Sequence, residues 1–269
     1  MLVFPNAKIN IGLNIVEKRI DGFHNIESCF YPVGWSDALE ILSAEKLHFQ
    51  SSGIIIPGEP EYNLCIKAYK VLASDYSIPP VDIHLLKSIP IGAGLGGGSS
   101  DAAYVIKALD KLFDLKIPVD NQITYARKLG SDCAFFINNV PAYCFHKGDE
   151  FEQIDLRLTG KWIVLVNPGL HISTLEAYSG IKPQHSKQDL RTILKQPLPD
   201  WKGLVKNDFE KTLFPKYPAL SEIKEKLYDQ GAEYASMSGS GSTIYGIFKK
   251  ETDLAEEFSA YKVWQGVMQ

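Results

Sequence analysis

Residues 90–103 begin Pro90-Ile91-Gly92-Ala93-Gly94-Leu95-Gly96-Gly97-Gly98-Ser99-Ser100, then Asp101-Ala102-Ala103, and these residue types can hold a phosphate. Bare N–H groups at successive glycines can line an anion-binding concavity, and Ser99 or Ser100 adds a hydroxyl that can bond phosphate or ligate Mg2+. A helix that starts with Ser99 or Ser100 as its N-cap would aim its positive end at the same anion. Two familiar phosphate patterns overlap here, and neither fits. Gly92, Gly94 and Gly97 satisfy G-x-G-x-x-G, but Lys87-Ser88-Ile89-Pro90 separates them from the preceding strand pattern. The acids downstream, Asp114 and Asp120, fall in a turn and a helix start rather than at a strand end. Gly92 and Gly97 also open G-x-x-x-x-G-K-[ST], yet Gly98 occupies the lysine position. A flexible linker is disfavoured because the run leads straight into an amphipathic helix pattern. The run reads as a polyphosphate site built mainly from backbone.

Several elements must position that loop. "AKINIGLNIV" (7–16) alternates, with Ile9, Ile11, Leu13 and Ile15 on one side and Lys8, Asn10, Gly12 and Asn14 on the other. That spacing predicts a strand with one buried face, interrupted by "DGFHNIES". Residues 38–42, 81–86 and 161–168 read as further strands. Helices are predicted over 63–73, from Ser99 or Ser100 to about 113, over 120–129, over 219–231 and over 253–261. "ASMSGSGSTIYGIF" (235–248) reads as a glycine-serine turn entering a strand. Strands and helices mix without strict βαβ alternation, which favours an α+β class, with a soft boundary between residues 157 and 158.

Bulk properties exclude some functions. The chain has 269 residues and a formal net charge of −4, which argues against broad nucleic-acid binding. No apolar run approaches the ~18 residues of a membrane span. The opening "MLVFPNAK" is too short and too soon broken by Pro5 for a secretory signal. Cys29, Cys65, Cys133 and Cys144 are widely spaced, as expected of reduced cytoplasmic thiols. No nucleic acid and no membrane is expected as a partner.

The run at 90–103 resembles the second motif of the GHMP kinases, which bind ATP with a non-Walker glycine loop. Together with "PNAKINIGLNIVEKRIDGFHNIES" (5–28), "GSDCAFF" (130–136), "NPGLHISTLEAY" (167–178) and "SMSGSGSTIYGIF" (236–248), it resembles the 4-diphosphocytidyl-2-C-methyl-D-erythritol kinase family in order and approximate spacing. The D-G-F-H extension is the most specific piece; the glycine-serine motifs alone suit mevalonate, homoserine or galactose kinases as well. The resemblance implies a two-domain GHMP kinase fold. Residues 1–157 would resemble the second domain of ribosomal protein S5 and carry the ATP-binding loop, residues 158–269 would form the GHMP C-terminal α+β domain, and the site would lie between them. It implies phosphorylation, by ATP with Mg2+, of the 2-hydroxyl of cytidine diphosphate-linked methylerythritol in non-mevalonate isoprenoid biosynthesis, by a cytoplasmic monomer or weak homodimer. The alternatives are another small-molecule GHMP kinase or a non-catalytic nucleotide-binding module; retention of both Lys8 and Asp132 argues against the latter.

Roles follow from the same resemblance. Asp132 would be the catalytic aspartate and Lys8 its partner, although by themselves they read more readily as a turn residue and a solvated strand residue. An ammonium beside a carboxylate keeps it ionised and can orient an attacking oxygen. Residues 90–100 would hold the triphosphate, with Asn63, Leu64 and Lys87 near the nucleotide and Ser99 or Ser100 as the metal ligand. Asn10 would contact methylerythritol hydroxyls. His24 would read the cytosine edge, with Phe23 (a tyrosine more often in the family) and Tyr178 sandwiching the base and Thr174 and His171 at the same end. Gly239, inside Ser238–Ser242, would form a second nest for the substrate diphosphate; a plain tight turn is the competing reading. Cys133 and Ala134 depart from the family's aliphatic-proline pair, Asp101 offers an indirect Mg2+ contact, and Cys133 reads as a packing thiol.

Overall fold

The computed structural model describes residues 1–186 and 188–269. In chain order the strands are β1 (Leu2–Val3), β2 (Asn6–Lys18), β3 (His24–Ser36), β4 (Ala38–Ser43), β5 (His48–Gly53), β6 (Val81–Lys87), β7 (Ala142–Phe145), β8 (Glu150–Gln153), β9 (Trp162–Asn167), β10 (Tyr234–Met237), β11 (Ile244–Phe248) and β12 (Lys262–Val267). The helices are α1 (Leu64–Ala73), α2 (Gly97–Leu112), α3 (Val119–Leu129), α4 (Phe135–Asn138), α5 (Thr174–Tyr178), α6 (Leu190–Ile193), α7 (Glu210–Leu213) and α8 (Pro218–Asp229). The class is α+β, as expected. Two compact units interleave along the sequence. One takes Met1–Ala7, Trp35–Ile91 and Gly96–Val140; the other takes Lys8–Gly34, Gly92–Leu95 and Pro141–Gln269.

In the first unit a sheet of order β1-β4-β6-β5 pairs β4 with β6 antiparallel and β5 with β6 parallel. Leu39, Ile41, Val81, Ile83 and Leu85 are buried, while alternate residues such as Glu40, Leu42 and Leu86 are exposed. That period of two marks one packed face. The α2 helix, packed on α1 and α3, buries Ala102, Val105, Ile106 and Leu109 as an apolar stripe.

In the second unit the sheets have the orders β2-β3-β7-β8 and β10-β11-β9-β12. Strand β9 is central, antiparallel to both β11 and β12, and Ile163 to Val166 are all buried, which explains its unbroken apolar run.

Four expectations need correction. Strand β2 is buried on both faces, because Lys8 and Asn10 lie inside as fully as Ile9 and Ile11 and find hydrogen-bond partners there. "DGFHNIES" is a hairpin corner: the turn ends at Phe23 and β3 starts at His24. Residues 253–261 form turns. Leu254 and Phe258 are buried at helical spacing and share an i→i+4 bond, so the pattern imitates a helix that does not propagate. Helix α2 begins at Gly97, capped by Gly96 at φ +69° and not by Ser99 or Ser100. Among the described residues no helix is long and apolar enough to cross a membrane, and the four cysteines are free and buried.

Candidate active site

In the first unit the glycine loop meets α2. Helix geometry leaves the N–H groups of Gly97, Gly98 and Ser99 without intrahelical acceptors, so the first internal bond is Ser100 N–H to Gly96 O at 2.9 Å. Those open N–H groups and the helix dipole make the loop's end an anion seat. Gly97 must be glycine: a Cβ there would fall 2.9 Å from Lys87 Nζ and 3.0 Å from Ile89 Cγ2. Gly98 is exposed, and Leu64 Cδ1 is 3.8 Å from where its Cβ would stand. Asn63 caps α1 by accepting from Cys65 N–H at 2.8 Å.

Lys87 ends β6 as a buried ammonium clamped by Asp37 and by Asp101 at 2.7 Å. Burial alone would depress its pKa, but the Asp101 and Asp37 carboxylates outweigh that and raise it. Burial pushes the Asp101 carboxyl up to about 7 despite the Lys87 ammonium. Among the described residues, Ser100 Oγ is buried with no hydrogen-bond partner. Asp132 is half-buried in a 3-10 turn, Ser131–Ala134, that follows Gly130 and runs directly into α4. Cys133 and Ala134 therefore make this turn without the family's proline. Burial raises the Cys133 thiol to about 11, with a Ser99 hydrogen bond opposing, so it is a neutral packing thiol. The same bond brings the Asp132 turn against the start of α2.

In the second unit a chain of bonds orients the polar face of β2. Ser28 Oγ donates to Gly12 O at 2.6 Å and accepts from Asn10 Nδ2 at 2.9 Å. Asn10 must then turn Oδ1 toward Lys8, whose Nζ donates to it at 2.5 Å and lies 4.3 Å from the Phe30 ring centroid. The Asn10 backbone is held at both ends: its N–H donates to Ser238 Oγ at 3.1 Å, and its O accepts from Tyr245 OH at 2.8 Å. Ser238 Oγ also donates to Gly94 O at 2.7 Å, while Lys8 N–H donates to Leu95 O at 3.0 Å. One hydroxyl thus joins the β2 motif, the glycine loop and the glycine-serine loop. At Gly94, φ is +78° and a Cβ would fall 2.0 Å from Ser238 O.

The Ser238–Ser242 run joins β10 to β11, antiparallel neighbours, and several of its polar groups are bonded within the protein. Asn207 Nδ2 donates to Met237 O and Gly239 O, both at 2.8 Å, Gly241 N–H donates to Ser238 O at 3.0 Å, and Ser242 Oγ donates to Leu170 O at 2.6 Å. These bonds make a tight turn, while among the described residues the Gly239, Ser240 and Ser242 N–H groups take no part in them.

The D-G-F-H corner is fixed by Asp21, which accepts from Phe23 N–H at 3.1 Å, and by Arg19 N–H bonded to Phe23 O at 2.8 Å. Phe23 is left 61% exposed, and the ring stacked on Tyr178 is His24, with centroids 4.6 Å apart and planes at 23°. Its place at the first residue of β3 turns His24 inward, whereas Phe23 belongs to the turn. Burial and the nearby Lys18 lower the His24 pKa, favouring the neutral ring. Thr174 opens α5, exposed, after the Ser173 cap, and the His171 ring is 3.6 Å from where a Gly92 Cβ would stand. Ser28, Asp37, Asn207, Ser238 and Tyr245 escaped sequence reasoning as supports. Only Ser238, inside a glycine-serine run, carried any local signal.

The description "GHMP kinases N terminal domain" matches residues 63–143, and "GHMP kinases C terminal" matches residues 189–262. The chain is 52% identical to a 4-diphosphocytidyl-2-C-methyl-D-erythritol kinase of Cytophaga hutchinsonii, covering 96% of both chains. It is 49% identical to the enzyme of that name from Bacteroides fragilis, covering 95% of each. A crystal structure of 4-(cytidine 5'-diphospho)-2C-methyl-D-erythritol kinase superposes with a TM-score of 0.84 at 29% identity, over 99% of this chain and 98% of that one. Methanococcus jannaschii mevalonate kinase, at a TM-score of 0.73 and 14% identity over 100% and 98% of the chains, shares the fold.

Proposed function

The chain belongs to the 4-diphosphocytidyl-2-C-methyl-D-erythritol kinase family, and on that premise we propose that it transfers the γ-phosphoryl group of ATP to the 2-hydroxyl of its cytidine-linked substrate. The observation that carries this reading is identity above 50% with a relative of that name along nearly the whole chain. The residues agree with it. The open N–H groups at the start of α2 suit a triphosphate, and the outer face of the stacked His24 and Tyr178 rings suits a flat base, since centroids 4.6 Å apart leave no slot between them. The two family matches fall on either side of residue 158, which agrees with domains over 1–157 and 158–269 in sequence, whereas the compact units interleave across that boundary.

In this reading the 2-hydroxyl oxygen attacks the γ-phosphorus, the bond to ADP breaks, and Asp132 receives the hydroxyl proton. Such a transfer needs mainly alignment and charge stabilisation. Lys8, held by Asn10 Oδ1, supplies a fixed positive charge beside the hydroxyls that Asn10 contacts. Pro90–Ser100, with Asn63 and Leu64 beside the nucleotide, hold ATP; Phe23, His24, Tyr178 and Thr174 hold the cytidine end, and Gly239 keeps backbone room beside Asn10. Among the described residues no group of three His, Cys, Asp or Glu side chains forms a metal site. Mg2+ would instead be carried on the triphosphate, with Ser99, half-buried, or Ser100 as the protein's oxygen ligand; bound there, Mg2+ would neutralise phosphate charge.

The test is ADP release with ATP, Mg2+ and either the cytidine-linked alcohol or mevalonate. Turnover of the first alone is expected; folded protein that turns over only mevalonate, or neither, rejects the reading. Asp132→Asn should lower kcat by about 10²–10⁴-fold with binding of an ATP analogue unchanged. A wild-type rate removes Asp132 from the chemistry.

A further inference from the structure

We infer that Asp37, Lys87 and Asp101 are positioning residues: they fasten both ends of the glycine loop to one buried cluster and so set its nucleotide-binding shape. The inference rests on the kinase reading for the identity of the nucleotide, and on geometry for the rest. On the entry side, Asp37 Oδ1 accepts from Ser88 N–H at 2.6 Å and Ile89 N–H at 2.8 Å, the two residues that lead into Pro90. On the exit side, Asp101 in the second turn of α2 bonds Lys87 Nζ at 2.7 Å, and Gly97 in the first turn rests directly on that ammonium. Lys87 joins the two carboxylates, so a single ammonium sets the spacing between the loop's entry and exit. The cluster is closed to solvent: the three side chains are exposed by 3% or less.

A buried ion cluster is poor evidence for stability, since desolvation cancels much of the attraction. What it supplies is direction, because an ammonium between two carboxylates fixes the groups bonded to it. Here those groups are the ends of a glycine-rich segment that cannot hold its own shape, glycine being the residue with most backbone freedom to lose. Shape matters at this point because an anion seat of N–H groups works only while those groups converge. Lys87 thereby acts through the loop.

The experiment is calorimetric titration of the full chain with a non-hydrolysable ATP analogue and, separately, with the cytidine-linked alcohol. Asp101→Ala frees the start of α2 from Lys87; the Kd of the analogue should rise at least ~10-fold, while the Kd of the alcohol stays within about twofold. Asp101→Asn retains an oxygen for Lys87 and should restore the analogue to within about threefold of wild type. If the alanine variant does not fold, the double variant Lys87→Met/Asp101→Asn replaces it, with Asp37 still held by two N–H groups and the same results expected. Equal losses for both ligands, or no loss for the analogue, overturn the inference. Failure of the wild-type chain to bind the analogue overturns the nucleotide reading and this inference together, whereas normal wild-type binding with an unaffected alanine variant overturns this inference alone.

Discussion

The glycine loop at 92–100 and the glycine-serine loop at 238–243 look alike in sequence and differ in what their polar groups do. In the second, Ser238 and Ser242 hydroxyls, the Gly241 N–H and the Met237 and Gly239 carbonyls all have partners inside the protein. In the first, three N–H groups at the start of α2 have no helical acceptor, and Ser100 Oγ has no partner among the described residues. One set of glycines opens a helix, the other turns a hairpin. The composition of a glycine-rich loop does not tell these jobs apart; the accounting of donors and acceptors does.

That contrast can be broken at single residues. The largest effect is expected at Gly94, where the two loops touch. Gly94→Ala puts a methyl group into Ser238 O and a side chain at positive φ, and should cost on the order of 3 kcal/mol or more, seen as a large fall in Tm. Next, Ser238→Ala leaves the Asn10 N–H and the Gly94 O buried without partners. It should lower stability by about 2 kcal/mol by denaturant unfolding, with loss of kcat because Asn10 and Lys8 shift. A smaller effect of the opposite kind is expected at Gly98, where a Cβ meets nothing closer than 3.8 Å and the helix gains an alanine. Gly98→Ala should leave Tm unchanged or higher while weakening an ATP analogue by roughly 10-fold, an affinity change of about 1.4 kcal/mol. The smallest is Ser100→Ala: removing an unpartnered hydroxyl should leave stability within about 0.5 kcal/mol and lower turnover only at limiting Mg2+. If Gly98→Ala destabilised the fold, or Ser238→Ala left it intact, the division of labour between the loops would be wrong.

The sequence announced the glycine loop and its helix and misplaced the helix's first residue. Glycine density followed by an amphipathic stripe is a local signal, so the loop and α2 were legible. Serine is the better cap on intrinsic grounds, but the helix starts earlier, from a left-handed Gly96, which frees the N–H groups that a serine side chain would have occupied. Strand β3 was hidden because both its faces carry buried residues and its first residues look like a turn. The supports were hidden for another reason. Asp37 acts on a lysine 50 residues away, and Ser238 on a carbonyl 144 residues away, so no window of sequence contains both partners. The sequence pairs Phe23 with Tyr178 around a base and gives His24 the base edge; that His24, not Phe23, is the ring stacked on Tyr178 depends on where the hairpin corner ends.

The bonds that hold Asn10 have a consequence for how the molecule comes into being. Its N–H partner, Ser238, lies 228 residues further on, and its carbonyl partner, Tyr245, lies 235 residues further on. At ribosomal rates of about 5–20 residues per second, β2 waits roughly 10–50 s for those partners to be made. Contacts this remote in sequence close slowly and late. The strand that carries Lys8 can pair early with its chain neighbour β3, but a chain interrupted before β10 has every residue of the glycine loop and neither of the two bonds that hold the Asn10 backbone.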